Sequence, residues 1–426
     1  MEYIILLASA LAVIVLLYRD RSYMASLLIA AIVANVVLFE AAGQNVTSQR
    51  LVALVCIMVA AVLVVSDKAR LGVISPAHKY FNFSFFVILL LDIANSITTG
   101  GVGTTATVNL ILNLILYNLI VLSLRDFNLP KLGTQLQLQA VLIIPIIGYY
   151  LFGYVTGGVL GRVGMQFHTG YRLRADEVQN IINIWAASIA LVIPLAILGN
   201  KIADRKLLKT FALVGVSVAL VGVVLTFSRA AMISIAFFFL VWLGLVVMVK
   251  RQVMAAMNIG ILVLLLGAIV LSLGDYLPVM KFFEERFVSV AEGEDESTMV
   301  RLSAIRLAIG DFLDHPLIGN GSSFESPWYV ATENTFLDLL VRYGLVGTLP
   351  FLVFIFQLLK EVILSTKSRL DDVGLILAAV LFAYLFMLAT NDFLLFSMGT
   401  ILLAVINVIS AGGERQGVIQ SERVHR

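Results

Sequence analysis

Charge is what this chain most lacks. Only 13% of its 426 residues are Asp, Glu, Lys or Arg, about half of the roughly 25% usual in soluble domains. Hydrophobic residues make up 60%, and mean hydropathy is +1.00. So little polar surface cannot cover a water-soluble globule, and long runs of Leu, Val and Ile exclude a disordered or nucleic-acid-binding chain. The one cysteine, Cys56, lies in an apolar run, so there is no disulfide framework and no CxxC metal site. Walker, GxGxxG-after-strand, HExxH and GxSxG patterns are missing, which argues against a nucleotide-driven pump and a soluble-type hydrolase. No internal repeat stands out.

What is present is a series of apolar runs. A span needs about 20 such residues. The candidates are 3–17, 22–39, 51–65, 80–97, 105–124, 138–158, 179–198, 208–226, 230–249, 254–273, 334–359, 372–389 and 393–410. We therefore expect an all-α polytopic membrane protein with about thirteen transmembrane helices. Residues 1–411 form one integral domain, followed by a charged, unstructured cytoplasmic tail at 412–426. The first run is not a secretory signal, because Arg19 and Arg21 follow it and no basic residue precedes it.

With the N-terminus placed outside, every inner loop is basic, from Arg19 and Arg21 through Lys201, Arg205, Lys206 and Lys209 to the tail. That satisfies the positive-inside rule, with the C-terminus cytoplasmic. The outer set is Arg50, Arg162, Arg172, Arg174, Arg229, Lys281, Arg286, Arg301, Arg306 and Arg342. It is almost all arginine, whereas the inner set mixes Lys and Arg. Either residue serves topology, but only Arg offers a planar fork for phosphate or carboxylate. The outer arginines can pair with outer acids such as Asp176 and Glu284; as a set they point to an anionic ligand on the outer face.

Two outer loops are long, 159–178 and 274–333, and we expect them to form the active-site face. Within the second, AEGEDEST gives way to a helix over roughly 298–313, capped by Asp295 or Ser297. Met299, Leu302, Ile305, Ile309 and Phe312 recur at spacings of three and four, so this is an amphipathic helix suited to the membrane surface, where it can cover a cavity.

Several polar residues interrupt the spans. Asp92 is either a functional acid or a helix–helix hydrogen-bonding group. Asn109, Asn113 and Asn118 read as interhelix contacts. Asp338 and Arg342, at i and i+4, can pair either structurally or around a ligand, and Arg342 lies about 13 Å along its helix from Glu333. Arg229 closes a tight turn and opens a helix capped by Ser228, where a cation is disfavoured by the helix dipole. That local cost argues for a compensating anion.

LTFSRAAM at 225–232, RLSAIRLAIGDFLDHPLIGNGSS at 301–323 and TENTFLDLLVRYGLVG at 332–347 together resemble the O-antigen ligase and Wzy polymerase superfamily of bacterial membrane glycosyltransferases. GRVGMQF at 161–167 looks like that family's earlier outer-loop motif. Ligases of the family typically carry His where this chain has Glu333, so the likeness leans to a Wzy-type polysaccharide polymerase, with O-antigen ligase as the alternative. The resemblance implies a donor glycan on undecaprenyl diphosphate and a site on the periplasmic side of the bacterial inner membrane. It implies no cofactor and no metal: arginines would neutralise the diphosphate. Glu333, Arg229 and Arg301 are the implied catalytic residues. Arg162 carries over from the motif as a substrate-binding residue, and Arg172, Arg306, Arg342 and Asn334 are added as substrate-binding candidates. The partners are the lipid-linked oligosaccharide, the bilayer and a chain-length regulator. A lipid-linked oligosaccharide flippase is a competitor from another class, but it should show repeat halves.

Overall fold

The structure is a computed structural model and describes residues 23–34, 37–41, 44–66, 74–99, 105–124, 129–155, 182–203, 205–226, 228–251, 296–321, 334–369, 372–390 and 397–424. The expected spans 3–17 and 254–273 lie outside them. The helices are α1 (Tyr23–Ala34), α2 (Ser48–Val65), α3 (Pro76–Thr99), α4 (Thr105–Leu124), α5 (Leu129–Val155), α6 (Ile182–Ile202), α7 (Lys206–Thr226), α8 (Arg229–Lys250), α9 (Glu296–Asp314), α10 (Thr335–Arg369), α11 (Asp372–Thr390) and α12 (Ser397–Val424). Eight of them, α3 to α8 with α10 and α11, are long and apolar enough to cross a membrane. The architecture is an all-α polytopic membrane bundle.

Two local expectations are corrected. The run 22–39 is not one span: α1 closes at Ala34, and Val37–Ala41 pairs antiparallel with Gln44–Thr47 as a small hairpin. Val37 and Val46 are β-branched, a type that favours strand. The tail expected to lack structure is instead helical as far as Val424, since Glu, Arg and Gln are good helix formers.

Helix α6 is the axis of the bundle. It packs against α5, α7, α8, α11 and α12, and its side chains from Trp185 to Ala196 are all buried. A helix apolar all round belongs in such a position. Its neighbours come close through small residues: a Cβ on Gly215 of α7 would lie 2.1 Å from the Ala140 carbonyl oxygen of α5, the small-residue contact that membrane helices use.

Polar side chains fix helix order where the hydrophobic effect is indifferent. Thr107 of α4 hydrogen-bonds the fully buried Asp92 carboxylate of α3, so Asp92 serves a helix–helix bond. Asn118 Nδ2 donates to Asn82 Oδ1 at 2.8 Å. His78 Nδ1 accepts the Ile74 N–H at 3.2 Å, which leaves Nε2–H to donate to Asn118 Oδ1 at 2.9 Å. The buried Glu361 of α10 accepts the Ala77 N–H at 2.8 Å, in the first turn of α3. A carboxylate at a helix N-terminus meets both the positive dipole end and an otherwise orphan donor.

These contacts also define the ends of the bundle. At one end Asp372, opening α11, bonds Lys201 of α6 at 2.9 Å and Lys250 of α8. Phe237 and Phe386 stack midway between α8 and α11. The other end therefore carries the start of α8, at Arg229, and the close of α11, at Thr390.

Candidate functional site

At that second end, α7 turns into α8 through Thr-Phe-Ser-Arg. Thr226 is fully buried; its hydroxyl donates to the Val223 carbonyl at 2.6 Å and accepts the Ser228 N–H at 3.3 Å. The threonine thus closes α7 and shapes the turn. Ser228 occupies the N-cap position in extended conformation, with φ −79 and ψ 103, but its side chain makes no capping bond. Its Oγ is buried and has no hydrogen-bond partner among the described residues. The expectation that Ser228 caps α8 is corrected: it holds the cap position without the bond. Arg229 is the first helical residue and is half-buried. A 22-residue helix thus starts with an arginine and an uncommitted hydroxyl, at the positive end of its dipole.

Helix α10 begins at the same end of the bundle, against the close of α11. Asn334 Oδ1 accepts the backbone N–H groups of Phe336 and Leu337, both at 3.0 Å, and its Nδ2 donates to the Ala389 carbonyl at the close of α11, at 3.1 Å. Asn334 is therefore the N-cap of α10 and ties it to α11. Four residues on, Arg342 Nε donates to Asp338 Oδ1 at 3.0 Å, with both side chains largely buried. The pair anticipated from the i, i+4 spacing forms.

Directly after Arg342 the helix breaks. Gly344 has φ 59 and ψ −163, a region only glycine enters without strain. The break frees the Val341 and Arg342 carbonyls and the Leu345 and Val346 N–H groups, which an unbroken helix would pair i to i+4. The strap Pro316–Gly321, running on from α9, takes all four. Asn320 N–H donates to Val341 O at 2.9 Å and Gly321 N–H to Arg342 O at 2.8 Å; Leu345 N–H donates to Pro316 O at 2.9 Å and Val346 N–H to Leu317 O at 3.0 Å. Each lost helical bond is replaced by two bonds to the strap, as a membrane demands of freed backbone. A Cβ on Gly319, itself at φ 69, would lie 2.3 Å from the Arg342 carbonyl carbon. Asn320 Nδ2 donates to Asp311 O and Val341 O, both at 3.1 Å, and so joins the last turn of α9 to α10. His315 is a turn residue: its carbonyl accepts the Gly319 N–H at 3.0 Å.

Helix α9 brings Arg301 and Arg306. It packs on α10 through Ala304 and Ala308, with Ala308 against Val341. Arg301 is half-buried and Arg306 exposed; five residues apart, they diverge by about 140° round the helix. The start at Glu296 also puts Ser297 inside the helix rather than at its cap. Glu333, Arg162 and Arg172 lie outside the described residues. Nothing local in the sequence predicts the strap; its one trace there is the pairing of Gly-Asn-Gly at 319–321 with Tyr-Gly-Leu at 343–345.

Residues 214–352 match the family model described as O-antigen ligase. The matched third of the chain runs from α7, through the Thr226–Arg229 turn, α9 and the strap, to the broken part of α10. Over that third the chain is similar to O-antigen ligases, which supports an O-antigen ligase or polymerase type of function in general, in a chain with eight helices long and apolar enough to cross a membrane among the described residues. Comparison with characterised proteins finds no match.

Proposed function

We propose that the protein polymerises lipid-linked glycan repeat units, moving the growing chain from undecaprenyl diphosphate to a new lipid-linked unit on the periplasmic side of the inner membrane. The observation that carries this reading is the start of α8: Arg229 and the unpartnered, buried Ser228 hydroxyl at the positive end of a long helix. Helix N-termini bind phosphate through free N–H groups and the dipole, and Arg adds a bidentate fork.

In the reaction, the acceptor hydroxyl attacks the anomeric carbon as its bond to the diphosphate breaks. Charge develops on the leaving diphosphate, and Arg229 with Arg301, Arg162 and Arg172 offsets it. The acceptor proton passes to Glu333. One displacement inverts the anomeric configuration. Asn334 and Arg342 complete the substrate-binding set, with the Arg342 guanidinium held by Asp338 and its remaining N–H groups the ones that would meet the glycan or diphosphate. Arg306 faces away from Arg301 and meets the glycan or lipid rather than the same phosphate. The end of the bundle bearing Lys201 and Lys250 is cytoplasmic on this reading, as the positive-inside rule requires. The unit 1–411, with loops 159–178 and 274–333 over the site, acts as one integral domain.

Purified protein given lipid-linked repeat units should yield a ladder of longer lipid-linked glycans and free lipid diphosphate. Full-length single units moved across the membrane with no diphosphate released would overturn this in favour of transport. The family description favours a second reading, transfer to lipid A-core; that acceptor in the same assay gives a single capped product instead of a ladder.

A further inference from the structure

Helix α9 does not bury its apolar stripe. The face held against α10 carries Ala304, Ala308 and the partly buried Phe312, and Leu302, Ile309 and Leu313 are centred roughly 140° round the helix from the two alanines. Those three are 52%, 45% and 65% exposed, and the strap continues the stripe with Leu317 at 64% and Ile318 at 51%. The sequence puts an amphipathic helix at the membrane surface, and these exposed apolar side chains are the surface it would use.

The strap shows what the stripe adjoins. Its bonds to Leu345 and Val346 hold Leu317 beside the exposed flank of α10, where Leu345, Val346, Leu349 and Val353 face outward. That flank belongs to a candidate membrane span. Leu345 stands about 22 Å along the helix from Lys360 at the lysine-rich end, within a hydrocarbon core of roughly 30 Å. The surface of the strap is thus continuous with a lipid-facing surface at hydrocarbon depth. Ser303 and Asp314 are exposed about 100–120° round the helix from the stripe, and Arg306 sits at the edge of the stripe, where a long side chain reaches the headgroups.

We infer that α9 and its strap form a membrane-docking surface: Leu302, Ile309, Leu313, Leu317 and Ile318 enter the acyl region of the leaflet at this end of the bundle, so that Arg301 is carried at headgroup level. The partner is the lipid bilayer. Met299, Val300 and Leu307 are exposed on the flank and far side as well, so α9 presents apolar surface with Arg306 set within it, which suits a helix lying in an interface.

The test uses the full chain in lipid nanodiscs with Cys56→Ala as background and single cysteines, carrying a nitroxide, at Leu302, Ile309, Leu313, Leu317 and Ser303. Collision with oxygen reports lipid, and collision with a water-soluble nickel chelate reports water. We expect oxygen to dominate at Leu302, Ile309, Leu313 and Leu317 and nickel at Ser303. Nickel dominating at all five positions overturns the inference. So does shielding of the stripe from both reagents, which would mean that residues 252–295, residues 322–333 or a second copy of the chain covers it. All five positions are exposed, so no core contact is removed; should one variant fail to elute as a single species, the other stripe positions give the same reading. No glycosyl transfer is measured, so the result stands apart from the proposed activity.

Discussion

Arg229 and Ser228 separate charge from geometry. Lysine at Arg229 keeps the charge and loses the fork, so Arg229→Lys should fold normally and lose most polymer formation, read as ladder yield at equal expression. An N-cap serine usually contributes about 1 kcal/mol through its side-chain bond, but Ser228 makes none. Ser228→Ala should therefore leave the melting temperature unchanged while weakening donor binding; a drop in melting temperature with normal binding would return the hydroxyl to a structural role. Glu333 gains from the same kind of comparison. Helix α10 is already capped by Asn334, so Glu333→Gln should cost no stability. If Glu333 is the base, the variant should keep donor binding and lose about 10²–10⁴-fold in turnover. Asn334→Ala, by contrast, should lower stability by about 1 kcal/mol.

At the level of elements, the broken helix α10 and its strap act as one unit. Three glycines, Gly319, Gly321 and Gly344, make it possible, all at positive φ, and none tolerates a side chain: a Cβ on Gly344 would stand 2.3 Å from the Leu317 carbonyl oxygen, in a backbone conformation foreign to L-residues. Such strain costs of order 1–3 kcal/mol before the clash is counted. Gly344→Ala should lower the melting temperature in detergent and release the strap, seen as faster proteolysis between α9 and α10. Asn320→Ala, which keeps the backbone bonds and loses the side-chain link to Asp311, should be milder, about 1 kcal/mol per hydrogen bond lost. The element also explains why an Arg-bearing helix outside the spans sits at a defined place: it is stitched to the helix that carries Arg342.

For the molecule as a whole, the proposed arginine clamp implies that the donor diphosphate would be neutralised without a metal ion. Ladder formation should persist in excess EDTA; abolition by EDTA with rescue by Mg²⁺ would overturn the arginine clamp. At the opposite end Asp372 joins Lys201 and Lys250, but these groups are partly exposed, and such pairs contribute about 0–1 kcal/mol each. Asp372→Asn should therefore change stability little, as followed by thermal unfolding. The bundle is held mainly by the buried surfaces of α6 and α11.

The sequence alone determined the class of protein, because 60% hydrophobic residues against 13% charged leave a membrane as the only compatible solvent. It also determined the i, i+4 pair of Asp338 and Arg342, since helical spacing is a local property, and the position of α9 to within two residues at either end. Tertiary structure decided what local pattern could not. Val37–Ala41 left its helix because pairing with Gln44–Thr47 satisfied its backbone. Asp92 became a helix–helix contact because Thr107 faces it. The apolar repeat of α9 named Leu302, Ile309 and Phe312 alike, and only the packed structure separated Phe312, which leans on the Ala308–Val341 contact, from the exposed Leu302 and Ile309, because periodicity fixes angles within a helix and says nothing of its neighbour. The strap was invisible for the same reason: its four backbone bonds join residues about 20 to 30 apart in the chain, and only the break at Gly344 makes them necessary.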